Sequence, residues 1–174
     1  MHKTLRATSA TIVALILLSS AQSLAAQAEN QVGIPVGTTP EAVEIEDLDG
    51  NAVDLSAYVG SNPVLIEFWA TWCGVCKALE PKIEAAHDRF GDSVEFLIVA
   101  VGVNQSQRSV RRHVEDHPTP FLYLFDGRGR ASRAYKAPTT AYVVIMDADG
   151  RVAYTGVGAD QDLEAALERV VEES

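Results

Sequence analysis

Cys73 and Cys76 are the two cysteines of the chain, and two residues separate them. They follow the apolar run 64–69, which predicts a buried strand, and after them apolar side chains recur at the helical period. Cys73 is therefore expected at a helix N-terminus, where unpaired N–H groups and the helix dipole stabilise a thiolate, the reactive form of cysteine. Two sulfurs on one helical turn can bond, and one can attack a foreign disulfide while the other resolves the mixed disulfide.

A zinc site is the structural alternative for this pair, and it needs two further ligands. Beyond the N-terminal segment the histidines are His87, His113 and His117, and none is spaced as a second pair of zinc ligands. His113 and His117 are four residues apart and could share a helix face, although two exposed histidines are the commoner arrangement. Covalent haem attachment is excluded because Lys77 follows Cys76 where a histidine would be needed. We therefore expect neither a metal nor a cofactor.

An acidic residue interrupts the apolar run, since Glu67 lies between Ile66 and Phe68, six residues before Cys73. A carboxylate in a strand that is buried on both faces costs free energy unless it is protonated or paired. Burial should therefore raise the pKa of Glu67. The alternative is an exposed glutamate facing the edge of the sheet.

Composition predicts one globular domain with an addition at the N-terminus, since 47% of the 174 residues are hydrophobic and 22% are charged. Residues 1–28 show the parts of a cleavable secretory signal: a basic start, an apolar run and a stretch of small residues. Cleavage could follow Ala25 or Ala28. An uncleaved membrane anchor is the alternative, but the apolar run is shorter than the ~20 residues that a transmembrane helix needs. Residues 29–41, with their glycines and prolines, are predicted to be a linker.

The net charge is -10, from 14 basic and 24 acidic residues. Removal of residues 1–28 takes away Lys3 and Arg6, which leaves 12 basic against 24 acidic residues and a net charge of -12. Such a domain is a poor candidate for binding nucleic acid or an anionic membrane surface. An exported chain whose cysteines both lie in one Cys-x-x-Cys has none left for a structural disulfide, so the pair is interpreted as redox-active.

The order of predicted elements gives the fold class. Beyond the strand and helix around the cysteines, we expect two hairpins, two further strands and three helical segments: hairpins over 42–55 and 141–155, strands over 94–101 and 120–125, a helix capped by Ser106, a short helical piece over 131–136 and a last helix capped by Asp160. Strands in βαβ order followed by a hairpin and a terminal helix predict an α/β domain with a central mixed sheet flanked by helices.

Three segments carry a family resemblance. The stretch Phe68-Trp69-Ala70-Thr71-Trp72-Cys73-x-x-Cys76-Lys77 resembles the active-site segment of the thioredoxin superfamily. Asp47-Leu48-Asp49-Gly50-x-x-Val53-x-Leu55-Ser56 and Ala137-Pro138-Thr139-Thr140 resemble the TlpA/ResA-like thiol:disulfide oxidoreductases of bacterial envelopes. The resemblance implies a thioredoxin-like domain over 42–174: a three-layer sandwich with a central mixed sheet, helices on both faces and an N-terminal β-hairpin.

The resemblance also implies roles for single residues. Cys73 is expected to be the nucleophile and Cys76 the resolving thiol of a redox-active disulfide. Glu67 stands where thioredoxins carry an aspartate that exchanges protons with the second cysteine. This chain departs from the family in lacking a lysine on the next strand, and where TlpA-like members often carry a glutamate it has Leu79, with Glu80 one residue later.

Three further residues are expected to meet the substrate. Pro138 matches the cis-proline that stands beside the disulfide in this superfamily. Ala137 would then offer a strand-like edge to a substrate peptide. Trp72 is expected at the rim of the site.

The sequence thus predicts an exported, periplasmic thiol:disulfide oxidoreductase, and the resemblance favours a reductant of envelope protein disulfides, for example during cytochrome c maturation. Its partners would be disulfide-bearing client proteins and a membrane electron donor. A copper chaperone of the Sco type is one alternative, but it would prefer three residues between the cysteines and a distal histidine. A peroxiredoxin-like peroxidase is another, but Ile66 and Ala70 occupy the positions where that class has proline and threonine.

Overall fold

The structure is a computed structural model that describes residues 32–173. The predicted signal segment, 1–28, and the first residues of the predicted linker lie outside the described residues. Within 32–173, no helix has the length and apolar character that crossing a bilayer would require.

Within residues 32–173, seven strands form one mixed sheet: β1 Glu44–Asp47, β2 Ala52–Asp54, β3 Val64–Trp69, β4 Glu95–Val101, β5 Leu122–Asp126, β6 Tyr142–Met146 and β7 Val152–Val157. Their order in the sheet is β2-β1-β5-β4-β3-β6-β7. The central strand, β3, pairs in parallel with β4 and antiparallel with β6, and β4 pairs in parallel with β5. Both predicted hairpins are present as antiparallel pairs, β1 with β2 and β6 with β7.

In the described part of the chain, four α-helices and one 3₁₀ helix accompany the sheet: α1 Gly74–Phe90, α2 Gln107–Asp116, α3 Arg130–Ala134, α4 Leu163–Glu172 and the 3₁₀ helix Leu55–Tyr58. The first of them runs on through Pro81. The predicted cap Ser106 is confirmed, since its side chain accepts from the N–H of Ser109. The predicted cap Asp160 is wrong: Asp162 accepts from the N–H of Ala165 at the start of α4.

The two faces of the sheet carry separate hydrophobic clusters. Along β3 the side chains alternate, so that Leu65 and Trp69 join one cluster, with residues of α1 and α4, while Ile66 and Phe68 join the other, with residues of α3 and the 3₁₀ helix. Both cysteines belong to the first cluster, which we call the disulfide-side cluster; the second is the opposite cluster. The predicted α/β sandwich, with helices on both faces of a mixed sheet, is confirmed.

The part of the predicted linker that the structure describes is packed against the domain. Ile34 is buried, and its N–H donates to the hydroxyl of Tyr142 over 3.0 Å. Gly37 donates to the carbonyl of Val152, whose own N–H donates to the carbonyl of Thr38. The packed unit therefore begins ahead of residue 42, where the sequence placed the start of the domain, because an isoleucine within this segment reaches the opposite cluster.

Candidate active site

The disulfide lies at the N-terminus of α1. Cys73 is the N-cap, Cys76 is in the first turn, and the two sulfurs are bonded to each other with their Cα atoms 5.3 Å apart. The N–H of Cys76 donates to the sulfur of Cys73 over 3.0 Å. A thiolate at Cys73 would therefore receive a hydrogen bond and the positive end of the helix dipole, as the sequence predicted. Cys73 is also the more exposed of the two, at 7% against 0% for Cys76.

Glu67 is buried on the face of the sheet that carries the disulfide. It follows the alternation of Leu65 and Trp69, and its partners in register, Ile98 and Val143, are both buried apolar residues. Only 2% of Glu67 is exposed, so the alternative of an exposed glutamate is wrong.

The surroundings of Glu67 favour its neutral form. Burial raises the pKa of Glu67 well above its ordinary value, and the negative charge of Glu80 raises it further. Its Oε1 atom has no hydrogen-bond partner. The site therefore holds a carboxyl group that keeps its proton at pH values where a surface glutamate is ionised.

A cluster of aromatic side chains lies on the same face of the sheet as Glu67. The ring of Trp69 contacts those of His113 and Tyr123, with centroids 5.3 and 5.8 Å away, and His113 stacks on His117 at 4.6 Å. Burial lowers the pKa of His113, which favours the neutral imidazole. His113 thus packs on Trp69, and His117 stacks on His113 at the C-terminal end of α2. Within residues 32–173, no three metal-ligating side chains come together.

The structure does not support a cis bond at Pro138. All peptide bonds of the described residues are trans, so the predicted cis bond between Ala137 and Pro138 is wrong. Pro138 is exposed, and Ala137 packs against the opposite cluster, across the sheet from the disulfide. The expected cis bond rested on the family resemblance alone, whereas the intrinsic preference of an X-Pro bond is trans. The strand that follows begins at Tyr142, one residue later than the predicted start at Ala141.

Ala141 is the residue that directly precedes β6. It is fully buried in the disulfide-side cluster, and its backbone has φ 54°, a conformation that residues other than glycine rarely adopt. Its carbonyl accepts from the N–H of Gly158 over 2.9 Å and from the side chain of Gln161 over 3.3 Å. These hydrogen bonds hold the backbone of Ala141 in place on the side of the sheet where the disulfide lies.

Gln161 is a buried polar residue that the sequence analysis missed. Its Nε2 atom donates to the carbonyls of Ala141 and Gly158, and its Oε1 atom accepts from the hydroxyl of Tyr154. Gly156 leaves the room for this side chain, because a Cβ at that position would lie 2.3 Å from Gln161 Oε1. In the sequence, Gln161 is an ordinary polar residue before the last helix, and no spacing pointed to it.

Trp72 lies at the rim of the site, beside Cys73, with half of its surface exposed. Its indole N–H donates to the carbonyl of Val103 over 2.8 Å. Thr71 donates through both its N–H and its hydroxyl to Gln105 Oε1. The loop 102–106, between β4 and α2, is thus attached to the residues that precede the disulfide, a connection that no motif in the sequence indicated.

Proteins with similar sequences include thioredoxin-like proteins and thiol-disulfide oxidoreductases. The chain matches the Redoxin family over residues 31–171. It is 26% identical over 131 residues to the thioredoxin-like protein YneN of Bacillus subtilis, covering 75% of this chain and 76% of that protein. It is 31% identical over 102 residues to the thiol-disulfide oxidoreductase ResA of Oceanobacillus iheyensis, covering 56% of this chain and 52% of that protein.

Other matches are shorter relative to the matched protein, or show the fold alone. A protein disulfide-isomerase of Hordeum vulgare is 30% identical over 137 residues, which are 77% of this chain but 26% of that protein. A crystal structure from Chlorobium tepidum, described as a thiol:disulfide interchange protein DsbE, superposes with a TM-score of 0.68 at 23% identity, covering 80% of this chain and 97% of that one. The predicted thioredoxin-like fold is confirmed.

Proposed function

Because the chain belongs to the Redoxin family, and because its cysteines form a disulfide at a helix N-terminus, we propose that it reduces the disulfides of client proteins outside the cytoplasm. On this proposal the protein is a thiol:disulfide oxidoreductase, the activity given in the names of the similar proteins ResA and DsbE. The observation that carries the proposal is the Cys73–Cys76 disulfide at a helix N-terminus, with a buried acid, Glu67, on the same face of the sheet.

The reaction starts from the reduced form, with Cys73 as a thiolate. Its sulfur attacks one sulfur of the client disulfide, the client's S–S bond breaks, and the departing client sulfur takes up a proton as a thiol. Cys76 then loses its proton and attacks the sulfur of Cys73. The mixed disulfide breaks, the second client thiol leaves, and the Cys73–Cys76 disulfide forms. Two electrons have passed to the client, and an external dithiol must return the pair to its reduced form.

Glu67 is the group that we assign to the proton of Cys76. The acid lies on the disulfide-side face, beneath the helix that carries Cys76, and its raised pKa brings its proton affinity towards that of a thiol. Because the two proton affinities are brought closer together, the ionised fraction of Glu67 can take the proton of Cys76 when that thiol attacks, and neutral Glu67 can return a proton to Cys76 when the disulfide is reduced.

The location and the direction of electron flow belong to the same proposal. Residues 1–28 have the composition of a secretory signal, and the names of the similar proteins ResA and DsbE favour disulfide exchange. We propose a periplasmic reductant that a membrane electron donor reduces again, with cytochrome c maturation as one setting for its clients.

Three measurements test this proposal. The first is catalysis of insulin reduction by dithiothreitol, which the parent should accelerate and Cys73→Ser should not. The second is equilibration of Cys73/Cys76 with defined glutathione ratios. A reductant should have a reduction potential near the thioredoxin end of the range, about -270 mV, and a value near about -120 mV would identify an oxidant. Cell fractionation with N-terminal sequencing tests export, and retention of residues 1–28 on a cytoplasmic protein would contradict it.

A further inference from the structure

The loop between β4 and α2 is joined to the active-site turn through one side chain. Gln105 Oε1 accepts two hydrogen bonds from Thr71, from its N–H over 3.0 Å and from its hydroxyl over 2.9 Å. Gln105 Nε2 donates to the carbonyl of Val101, at the end of β4, over 2.6 Å. A single amide group therefore connects the end of a central strand to the turn that leads into Cys73.

A second contact between the same two segments fixes the neighbouring residue. The indole N–H of Trp72 donates to the carbonyl of Val103. Trp72 is 50% exposed, so this hydrogen bond holds an exposed aromatic side chain in place directly before Cys73 in the chain. Three hydrogen bonds thus join the loop 102–106 to the turn before Cys73, and Gln105 accepts two of them.

We propose that Gln105 is a positioning residue for exchange with protein disulfides, acting through Thr71 and Trp72. Without Gln105, the two donors of Thr71, which is half-buried, lose their acceptor, and the turn gains freedom to adopt other conformations. A protein client that reaches the sulfur of Cys73 must also meet the surface of Trp72, whereas a small disulfide needs only the sulfur. Gln105 should therefore matter for large disulfides and little for small ones, whichever way electrons flow.

Gln107 provides a matched control. It lies two residues further along, is also half-buried, and donates one hydrogen bond from Nε2 to the carbonyl of Asp47 over 2.6 Å. That contact joins the same region to the N-terminal hairpin and leaves Thr71 untouched. Replacing Gln105 or Gln107 by methionine keeps the length of the side chain and removes its hydrogen bonds.

The experiment is a single-turnover exchange of the reduced protein with insulin and, separately, with the small aromatic disulfide dithiobis(nitrobenzoate). Gln105→Met should exchange about tenfold more slowly with insulin and change by less than about twofold with the small disulfide. Gln107→Met should stay within about twofold of the parent with both. Gln105→Glu keeps an acceptor for Thr71 and should recover most of the insulin rate. Thr71→Val should slow exchange with insulin less than Gln105→Met does, and the double variant should be no slower than Gln105→Met alone.

The outcomes separate the possible failures. Equal losses with both disulfides, accompanied by a lower Tm, would make Gln105 a folding residue only. An unchanged insulin rate in Gln105→Met, or full additivity with Thr71→Val, would also overturn the proposal. A parent protein that exchanges with neither disulfide would contradict the oxidoreductase activity itself, and that result does not depend on Gln105.

Discussion

One substitution at Glu67 separates the packing of its side chain from its role in proton transfer. Glu67→Gln keeps the shape but cannot take up the proton of Cys76. We expect release of a client from the Cys73 mixed disulfide to slow by about a hundredfold at neutral pH, the lower range of what a positioned acid–base group contributes. Rapid-quench measurements from pH 5 to 9 should find a flatter profile in the variant, and a profile identical to that of the parent would remove Glu67 from the mechanism.

The same substitution should change how stability depends on pH. Because the pKa of Glu67 is raised in the folded state, the folded protein binds a proton that the unfolded chain has already released. The stability of the parent should therefore fall as the pH rises above the ordinary glutamate pKa towards the raised one. Urea unfolding across this range should show Glu67→Gln gaining relative to the parent as the pH rises; a constant difference would mean that Glu67 has an ordinary pKa.

Local sequence patterns predicted the positions of those site residues whose surroundings are set by neighbouring residues in the chain. The position of the cysteines followed from a strand run and a helical period on either side of them, and the burial of Glu67 followed from the same strand. The expected cis bond at Pro138 was wrong because it came from the Pro-Thr-Thr match alone, against the intrinsic preference of an X-Pro bond for the trans form. Gln105 and Gln161 have partners up to 34 and 20 residues away, beyond the reach of any local pattern.

Gln161 connects elements, since its side chain bonds the backbones at the start of β6 and the end of β7. Gln161→Leu keeps the volume but leaves the carbonyl of Ala141 with one donor fewer in a buried site. We expect a loss of about 1–3 kcal/mol in the free energy of unfolding. Tyr154→Phe removes only the hydroxyl that donates to Gln161 Oε1 and serves as the milder comparison. Urea denaturation measures both, and equal stabilities for Gln161→Leu and the parent would show that Gln161 does not secure this junction.

Most helices and strands could be predicted from the sequence, but their first and last residues were predicted less accurately. The period of the apolar residues gave β3 and α1, and an N-cap pattern gave the start of α2 at Ser106. The start of α4 was misplaced by two residues because Asp160 and Asp162 are equally good caps in the sequence. What decides between them is the burial of Gln161, which depends on β6 and β7.

The packing of the whole domain includes the segment ahead of the first strand. Ile34 is 4% exposed in the opposite cluster, and Val36, two residues later, is 45% exposed. Ile34→Ala should lower the free energy of unfolding by about 2–5 kcal/mol, because it deletes buried methyl groups and leaves a cavity. Val36→Ala is the matched control and should stay within about 0.5 kcal/mol of the parent. Thermal unfolding distinguishes the two variants. Equal melting temperatures would mean that residues 32–40 are a linker that adds nothing to the stability of the domain.

The exchange of disulfides through Cys73, with Cys76 as the resolving thiol, is tested most directly by trapping. The measurement is mass spectrometry of the proteins covalently attached to Cys76→Ala and to Cys73→Ala after exposure to disulfide-bearing clients. Cys76→Ala should accumulate client mixed disulfides at Cys73, because the attacking sulfur is intact and the resolving one is gone. Cys73→Ala should trap almost none, since Cys76 is fully buried. Clients bound to Cys76 in Cys73→Ala, with none on Cys73 in Cys76→Ala, would contradict the account.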